Sequence, residues 1–446
     1  MSEGAENRKD TRRSVYLGEG IKVYVKDEEE KRSINGEITD LSPWGINIYI
    51  IDQKLSTYPK KSEIIKIYYI TRDKKKCCSK GRVIYIFEEV IDEVNYLRYG
   101  VEFIHDNKSE SLPNLKSYEI PEIFTPHCWC DDPFFFQEKI IFKIQKINAK
   151  GMTLFTSARN KTLLPNLQLQ LKVSIPTCDE FLINITVTSV NFNKSNDKDK
   201  YSVDVKFENP NSRFLQVMVE YILFSGVEVT PKELRNDNLP VDIIENSLTY
   251  FYAKDPPELE KVMILRQNSL FDEGIHNIDN VKDKYDDYSR QLVCKVGRKS
   301  IACIRIIFNN KDKNKSEINS FIDEIPEWIW NKKFVEISKF AWDKEFRESD
   351  VFINMIRQIV RIVIESGHTH IFTSAPPLLK DLYLKVGFLP IKLNWKSNFV
   401  SQKDKESTLL LDAKGILTGE VVIEKFIWNK IYSRVAKYLG ISQEEN

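Results

Sequence analysis

This 446-residue sequence lacks long apolar runs. Its first ten residues, MSEGAENRKD, contain no apolar segment of the kind that forms the core of a secretory signal. No uninterrupted apolar run approaches the roughly 20 residues that a membrane-spanning helix needs. The most apolar helical segment, 351–365, still contains Arg357 and Arg361. We therefore expect a cytoplasmic protein.

The sequence also lacks a strong net charge and a regular series of paired metal ligands. The 66 basic and 65 acidic residues leave a net charge of +1, which argues against nucleic acid as a partner. The seven cysteines include the adjacent Cys77 and Cys78 and form no paired zinc ladder. His127, Cys128 and Cys130 are three potential metal ligands without a fourth at ligand spacing. We predict free thiols and no metal.

The sequence does contain enough apolar residues for several cores. Apolar residues make up 42% and charged residues 29%, a balance typical of globular proteins. About three domains are expected at this length. Segments rich in proline or charge at 106–126 and 228–238 are candidate boundaries, and the basic segment 73–81 is predicted to be a solvated hairpin end. We predict domains at 1–110, 120–228 and 245–446.

The first domain contains a polar corner followed by a strand. In GEITDLSPWGINIYI, residues 36–50, apolar side chains recur at every second position after the turn, which predicts a half-buried strand. Asp40 and Ser42 lie two residues apart and share a strand face, while Gly45 allows a close approach that a Cβ would obstruct. Guanidinium forks bind phosphates and guanine edges, and a carboxylate with a hydroxyl accepts from the N–H groups of guanine. With the arginine-rich lead-in 7–13, the corner suits an anionic purine nucleotide.

An R-x-x-x-R motif in that lead-in and a D-x-S-x-x-G motif at the corner together resemble the PilZ domain, the bacterial receptor for cyclic di-GMP. The resemblance runs from residue 7 to residue 104 and includes the strand YGVEFI at 99–104. It implies a β-barrel in which the arginines clamp guanine and phosphate and the corner holds the other side of the ligand. A basic tail beside an ordinary turn is the alternative. The implied ligand contacts are Arg8, Arg12, Arg13, Asp40, Ser42 and Gly45.

A second module resembles a degenerate copy of the first. The apolar positions and the glycine of the corner recur 106 residues later, and VDVKF at 203–207 is similar to YGVEF. Lys146 replaces Asp40 and Asn148 replaces Ser42, and no arginine pair precedes this corner. We predict a PilZ-like β-barrel without ligand chemistry and with a structural or docking role; unrelated β-sequence is the alternative. The matching pairs are Ile38 and Ile144, Leu41 and Ile147, Gly45 and Gly151, Ile46 and Met152, and Ile48 and Leu154.

From about residue 248 the periodicity alternates between helix and strand, which predicts an α/β domain. A tail at 421–440 has apolar residues at near-helical spacing and predicts an amphipathic helix. We expect this helix to pack on its own domain, with a carrier protein or a membrane surface as the alternative contact. The other predicted elements are a helix at 258–272, a hairpin at 290–296 and 299–308, a strand at 334–342, a helix at 351–365, a strand at 370–374 and a helix at 375–386.

Three strings in this half resemble the GNAT acyltransferases. PPLLKDLYLKVGFLPI at 376–391 carries the Tyr-x-x-x-Gly-Phe ending of the last GNAT helix. EISKFAW at 336–342 and DKYDDYSRQLV at 283–293 are similar to segments of the branch that contains N-acyl amino acid synthases and acyl-homoserine-lactone synthases. The resemblance spans about 248–391 and implies acyl transfer to an amine. Glu336 is then the candidate base and Tyr383 the candidate acid for the leaving thiolate. Residues implied in acceptor binding are Arg266, Asp283, Asp286, Arg305, Ser338 and Lys339.

The sequence departs from this family at two places. Lys339 stands where the branch has an arginine, so the charge is kept and the planar fork is lost. The loop DKEFRESD at 343–350 lacks the Q/R-x-x-G-x-G/A turn that cradles coenzyme A pyrophosphate in ordinary GNAT enzymes. This absence favours an acyl carrier protein as the acyl donor, with Arg347 and helix amides receiving the phosphopantetheine.

The predicted fold is therefore two tandem antiparallel β-barrels followed by an α/β GNAT-like domain. The predicted function is a cyclic di-GMP-responsive N-acyltransferase that moves a fatty acyl group from acyl carrier protein to an amino acid or small amine. One alternative is a non-catalytic effector whose acyltransferase-like domain binds a lipid or a protein. The other is a protein acetyltransferase that uses acetyl coenzyme A.

Overall fold

A computed structural model of the chain describes residues 13–14, 21–29, 31, 33–50, 59–104, 116–121, 125–134, 138–175, 180–193, 200–225, 229–272, 281–308, 312–396 and 407–441. The chain divides into two compact units. Unit one comprises Met1–Met218 and Asn236–Leu239, and unit two comprises Val219–Arg235 and Pro240–Asn446. The three domain boundaries expected from the sequence stay a prediction.

Unit one begins with a closed antiparallel barrel. Its strands are β1 Arg13–Ser14, β2 Ile21–Asp27, β3 Ser33–Ser42, β4 Gly45–Ile50, β5 Ile64–Ile70, β6 Lys76–Ile91 and β7 Val94–Phe103. Six strands close in the order β3-β2-β5-β6-β7-β4, with β4 returning to β3, and β1 pairs with β3 outside the ring. Apolar side chains at alternate positions fill the barrel, including the fully buried Ile38, Ile48, Ile67 and Val83.

The basic segment 73–81 is not a solvated hairpin end throughout, because β6 already begins at Lys76. Within it, Cys77, Ser79 and Gly81 are buried at every second position, and Lys80 between them is exposed. The inward positions are small and the charged positions point outward. A run with many lysines therefore still satisfies the two-residue period of a strand.

A second closed barrel follows in the same unit. Its strands are β8 Tyr118–Glu119, β9 His127–Asp131, β10 Lys139–Asn148, β11 Gly151–Ser157, β12 Gln168–Ser174, β13 Glu180–Asn193 and β14 Lys200–Phe207. The ring runs β10-β9-β12-β13-β14-β11 and closes between β11 and β10, and β8 pairs with β10 outside it. The prediction of two antiparallel barrels in tandem is confirmed.

The two barrels share the register of their corner hairpins. In the first, Ser42 pairs with Gly45 and the register shifts between Ile38 and Asp40. In the second, Asn148 pairs with Gly151, and the shift lies at the equivalent place between residues 144 and 146. The repeated sequence pattern therefore corresponds to a repeated strand pairing, bulge included.

The barrels contact each other within unit one. The Trp44 ring, at the tip of the first corner, lies 5.5 Å from the ring of Tyr201 and 6.3 Å from that of Phe192, both edge-on. The hydroxyls of Tyr69 and Ser79 both donate to the carbonyl oxygen of Pro165, at 3.1 and 2.6 Å. The corner of the first barrel is thus directly connected to the second barrel.

Unit two is built on a seven-stranded mixed sheet. Its strands are β15 Leu248–Ala253, β16 Arg290–Val296, β17 Lys299–Phe308, β18 Phe334–Trp342, β19 His370–Ala375, β20 Leu389–Pro390 and β21 Ser407–Asp412. They lie in the order β15-β16-β17-β18-β19-β21-β20. Only the β18–β19 pair is parallel among the described strand pairs of this sheet. The expected α/β character of this part is confirmed.

Helices connect several strands of this sheet. Helix α1 Ser212–Phe224 follows the second barrel, and its Phe214 packs against Phe181 and Phe207 of that barrel. The other described helices are α2 Pro231–Asn236, α3 Pro256–Asp272, α4 Ile318–Phe321, α5 Glu327–Trp330, α6 Val351–Glu365, α7 Pro377–Lys385, α8 Ala413–Thr418, α9 Lys425–Ile427 and α10 Ser433–Leu439. A π-helical turn, Trp428–Tyr432, joins α9 to α10, so the amphipathic helix predicted at 421–440 begins only at Lys425 and ends at Leu439. Its Ile431 and Val435 are buried, and the Tyr432 hydroxyl donates to the Val386 carbonyl at 2.6 Å. None of the described helices is both long and apolar enough to cross a bilayer.

Strands β18 and β19 separate at their carboxyl ends. Their parallel pairing covers only Phe334–Ile337 and His370–Thr373. Just beyond, Lys339 has a φ of +52°, and the pairing of β18 with β17 shifts register. Helix α6 connects the two strands, as in other βαβ units. Sheets of α/β domains commonly bind ligands at the carboxyl ends of parallel strands, so this opening is a candidate binding site.

Candidate functional site

The predicted nucleotide-binding corner of the first barrel is well ordered by hydrogen bonds. The Asn47 amide nitrogen donates to Oδ2 of Asp40 at 3.0 Å across the β3–β4 pair. Ser42, only 3% exposed, donates its hydroxyl to the Gly45 carbonyl at 3.1 Å. A Cβ at Gly45 would lie 2.5 Å from the carbonyl oxygen of Val101. The glycine is therefore required by the neighbouring strand, a reason that the sequence did not reveal.

The lead-in enters beside this corner. The backbone of Ser14 pairs opposite Asp40, and that of Arg13 opposite Leu41. Arg8 and Arg12 lie outside the described residues, as does the side chain of Arg13. The assignment of these arginines to the ligand stays a prediction.

In the second barrel the equivalent corner is occupied by contacts within the chain. Lys146, at the position of Asp40, forms an ion pair with Glu119 at 3.1 Å. Oδ1 of Asn148, at the position of Ser42, accepts from the backbone N–H groups of Lys150 and Gly151 at 2.8 and 2.9 Å. These contacts agree with the predicted structural role of this barrel.

The second candidate site is a buried ion cluster in unit two, centred on Arg305. This arginine is fully buried in β17, and its Nε donates to the Ser338 hydroxyl at 2.9 Å on the paired strand. Its two terminal nitrogens donate to both oxygens of Asp283 at 2.5 and 3.1 Å. Nη2 also lies 2.6 Å from Glu317, and Nη1 lies 3.3 Å from Asp286. The guanidinium is thus bound on every side by the chain itself.

Arg266 on α3 holds the second part of the same cluster. Its Nη1 donates to Asp286 at 2.9 Å and to the Val281 carbonyl at 3.1 Å, and its Nη2 donates to Gln291. Asp283 and Asp286 cap the 3₁₀ turn Lys284–Tyr288 reciprocally, with the Asp283 N–H donating to Asp286 at 3.0 Å. The D-x-x-D spacing therefore places both carboxylates at one turn, where two arginines from different elements bind them.

Exposure divides the cluster into a closed end and an open end. The side chains of Arg266 and Asp286 are 2% and 6% exposed, whereas those of Asp283 and Lys339 are 28% and 24% exposed and their charged atoms are 3.6 Å apart. Burial opposes ionisation of Asp283, but the hydrogen bonds and charge of Arg305 outweigh it and hold the pKa of Asp283 below its ordinary value. Burial likewise opposes the charge of Arg305, but Glu317 and Asp283 outweigh it and raise the pKa of Arg305.

The predicted base lies on the same face of the sheet. Glu336 is 1% exposed on β18, two residues before Ser338, and its Oε2 accepts from the backbone N–H of Ile318 at 3.2 Å. Glu317, the residue before Ile318, is a carboxylate that sequence reasoning missed; no motif surrounds it. The residues joined by ion pairs are Arg266, Arg305, Lys339, Asp283, Asp286 and Glu317, and Glu336 lies beside them.

The structure places Tyr383, the predicted acid, in an aromatic cluster. The Tyr383 ring on α7 lies edge-on to Phe352 at 5.4 Å and to Phe388 at 5.0 Å, and burial raises the pKa of its hydroxyl. Phe340, just past the point where β18 separates from β19, lies 5.5 Å from Phe352. Arg347 is half-buried in the loop that precedes α6. The predicted acid and the ion cluster are thus carried by different elements.

The cysteines and the candidate metal ligands do not converge. Cys128 and Cys130 are buried on one face of β9, and His127 is exposed on the other. Burial raises the pKa of the Cys130 thiol to about 12, and burial also raises the pKa of the Cys128 thiol well above its ordinary value. In the ranges that the structure describes, no group of three potential metal-binding side chains occurs.

No protein-family model matches this sequence, and no curated protein matches it. Several solved structures resemble parts of the chain, including the following three. FeeM, an N-acyl amino acid synthase from uncultured soil microbes, is 14% identical over 37% of this chain and 91% of its own, with a TM-score of 0.29. The MrkH–c-di-GMP complex of K. pneumonia is 14% identical over 51% of this chain and 95% of its own, with a TM-score of 0.24. The PilZ domain of YcgR from Escherichia coli, with c-di-GMP, is 18% identical over 21% and 74%, with a TM-score of 0.19. Values this low carry no argument about activity or ligand, which have to be argued from this chain's own side chains.

Proposed function

We propose that this chain is a cyclic di-GMP-responsive N-acyltransferase that transfers a fatty acyl group from acyl carrier protein to the amino group of an amino acid or small amine. The observation that carries the proposal is the ion cluster of unit two, which opens at Asp283 and Lys339. A half-buried carboxylate beside a lysine favours an acceptor that carries both an ammonium group and a carboxylate.

The contacts support different roles for the charged residues. Arg305 is enclosed by Asp283, Glu317 and Ser338, so its role is to position those side chains. Asp283 at the open end is the group that would receive the acceptor's ammonium, and Lys339 beside it would receive a carboxylate. A zwitterionic amino acid would thereby be bound at both ends.

The chemical step requires little of the protein, since a thioester is already activated. Glu336 takes the proton of the bound ammonium through a water molecule, which leaves the neutral amine as the nucleophile. The amine nitrogen then bonds to the thioester carbonyl carbon, and the carbon–sulfur bond breaks as the tetrahedral intermediate collapses. The thiolate leaves with a proton, for which Tyr383 is the candidate donor, and the proton that the nitrogen loses as the amide forms restores the Tyr383 hydroxyl. Positioning of the two reactants supplies much of the rate.

The acyl donor fits the opening between β18 and β19. At this end of the sheet the half-buried Phe340 packs against the buried Phe352, which in turn packs against Tyr383. Phe340 is therefore the candidate contact for an acyl chain or the arm of phosphopantetheine, and Arg347 in the adjacent loop is a candidate partner for its phosphate. The loop's lack of a glycine-rich turn is the reason to prefer a carrier protein over coenzyme A.

The decisive experiment supplies purified protein with amino acids and with fatty acyl groups on acyl carrier protein or on coenzyme A. Mass spectrometry should detect N-acyl products with the carrier-loaded donor, and Glu336→Gln and Asp283→Asn should lose them. Glu324→Gln, an exposed carboxylate of the same unit, is the matched control and should retain activity. Absence of product with every donor would refute acyl transfer and support a non-catalytic effector. Product only from acetyl coenzyme A and a protein lysine would support the acetyltransferase alternative.

The receptor half is tested by calorimetry with cyclic di-GMP. Arg12→Ala or Asp40→Ala should weaken binding at least tenfold, because each removes charge-assisted hydrogen bonds worth about 1.5 to 3 kcal/mol. Lys146→Ala and Asn148→Ala at the equivalent corner should leave the affinity unchanged. The reverse pattern would assign the ligand to the second barrel.

A further inference from the structure

Asp40 belongs to a hydrogen-bonded chain that includes an aromatic side chain on another strand. The Tyr85 hydroxyl on β6 donates to Oδ1 of Asn47 at 2.6 Å. Nδ2 of the same amide donates to Asp40 at 3.0 Å. Asn47 is 1% exposed, so both ends of its amide are satisfied inside the protein. An amide can be rotated by half a turn at little cost in shape, and the hydroxyl fixes which end faces Asp40.

The aromatic ring of Tyr85 packs against a glycine on β7, the strand between β4 and β6. Gly100 on β7 pairs with Asn47 on one side and with Tyr85 on the other. A Cβ at Gly100 would lie 2.2 Å from two ring carbons of Tyr85. The ring therefore lies directly on the glycine backbone, and any side chain there would displace it.

In the second barrel an aspartate, Asp204, occupies the position equivalent to Gly100. Asp204 on β14 pairs with Thr153 on one side and Ser189 on the other, as Gly100 pairs with Asn47 and Tyr85. Its two carboxylate oxygens accept from the hydroxyls of Thr153 and Ser189, both at 2.7 Å. The Asp204 side chain thus takes the place of the tyrosine ring, and its two carboxylate oxygens accept from hydroxyls on the two flanking strands. In that barrel the position of Asp40 is taken by a lysine.

We propose that Tyr85 is a positioning residue for cyclic di-GMP: seated on Gly100, it orients Asn47, and Asn47 orients the Asp40 carboxylate toward the ligand. This inference rests on the receptor function proposed above. Asp40 carries the direct contact, and Tyr85 acts on affinity only through it. The arrangement belongs to the first barrel alone, since Ser189 and Asp204 replace Tyr85 and Gly100 in the second.

The first test removes a single oxygen. Tyr85→Phe keeps the ring and loses the donor to Asn47, so calorimetry should show cyclic di-GMP binding about three- to tenfold weaker, the range expected for one hydrogen bond. Ser189→Ala is the matched control, because it deletes the hydroxyl at the equivalent position of the second barrel, and it should bind like the wild type. Thermal melting of each variant verifies that the fold is retained.

The second test separates positioning from a general loss of structure by double-mutant cycles. In an Asp40→Ala background Tyr85→Phe should cause no further loss of affinity. Gly100→Ala should weaken binding at least as much as Tyr85→Phe, but it should add nothing to Tyr85→Ala, since no ring remains to be displaced. If the wild type binds cyclic di-GMP and Tyr85→Phe binds it equally well, the positioning role is refuted and the receptor function is not. The same holds if Tyr85→Phe still weakens binding when Asp40 is already alanine. A wild-type chain that binds no cyclic di-GMP would refute the receptor function and the positioning role together.

Discussion

At the residue scale, unit two depends on a charge that is fully buried and fully paired. Arg305 is 0% exposed and is held by Asp283, Glu317 and Ser338. A buried ion pair contributes little net stability compared with an apolar pair of the same shape, but loss of one partner leaves the other charge buried without compensation. The cluster therefore makes the fold of this region dependent on each of its members.

Arg305→Met should lower the free energy of unfolding by about 3 to 5 kcal/mol, because Asp283 and Glu317 would lose their common cation. Denaturant titration of the purified chain measures this change. Arg298→Met, which removes an exposed arginine two residues beyond β16, should change the free energy by less than about 0.5 kcal/mol. Equal effects of the two substitutions would contradict the role given to the cluster.

The free energy of unfolding should depend on pH partly through the ionisation of Asp283. The pKa of Asp283 is lower in the folded chain than its ordinary value, so its interactions stabilise the fold above about pH 4, where the unfolded side chain is ionised. The contribution is lost as the pH falls through the folded pKa. The destabilisation caused by Asp283→Asn should therefore be larger at pH 7 than at about pH 2.5. Asp287→Asn, an exposed neighbour, should show no such difference, and a pH-independent effect at Asp283 would disprove the assignment.

At the scale of elements, the two corner hairpins are equivalent in packing and different in chemistry. A Cβ at Gly45 would lie 2.5 Å from the Val101 carbonyl, and one at Gly151 would lie 2.1 Å from the Val205 carbonyl. The neighbouring strand thus excludes a side chain at both corners. Only the first corner combines the glycine with a carboxylate held by Asn47.

Gly45→Ala and Gly151→Ala should both destabilise unit one, by about 1 to 3 kcal/mol each, because backbone has to move to admit the methyl group. Their effects on ligand binding should differ. Under conditions where both variants remain folded, calorimetry should show weaker cyclic di-GMP binding for Gly45→Ala and unchanged binding for Gly151→Ala. If both substitutions weaken binding equally, the effect is a general consequence of barrel distortion.

At the scale of the whole molecule, the chain combines a proposed receptor unit with a proposed catalytic unit. A ligand shifts a catalytic equilibrium only through its different affinity for the two states, typically 1 to 3 kcal/mol, or about 5- to 150-fold. Within unit one, the contacts of Trp44 with Tyr201 and Phe192 link the corner of the first barrel, the proposed ligand site, to the second barrel. A change at the corner therefore has a direct packing route into that barrel.

Cyclic di-GMP should change the rate of acyl transfer by a factor within that range, with an increase expected, and the acyl donor should tighten cyclic di-GMP binding reciprocally. Deleting residues 1–13 should abolish the response while basal turnover stays measurable. A rise in basal turnover on deletion would identify the segment as an autoinhibitory cover. Lys146→Ala is the control and should keep the response. Equal rates with and without saturating nucleotide, with binding confirmed, would show that the two activities are merely joined in one chain.

Much of the fold follows from local patterns. The helix at 351–365 and the hairpin at 290–296 and 299–308 have the bounds that periodicity predicted. The tandem barrels also follow, because a repeated pattern of apolar residues and a corner glycine reproduces the same register. These features depend on residues a few positions apart, and the side-chain period of each element records them directly in the sequence.

The tertiary structure alone decided which side chains meet. Glu317 binds Arg305, and Tyr85 reaches Asn47 across 38 positions, because the order of strands brings distant segments together. The same cause encloses Arg305 among carboxylates, so that it positions side chains instead of presenting a free guanidinium to a substrate. Motif spacing identifies candidate residues, but burial and pairing across a sheet depend on contacts between strands far apart in the chain, which no local pattern contains.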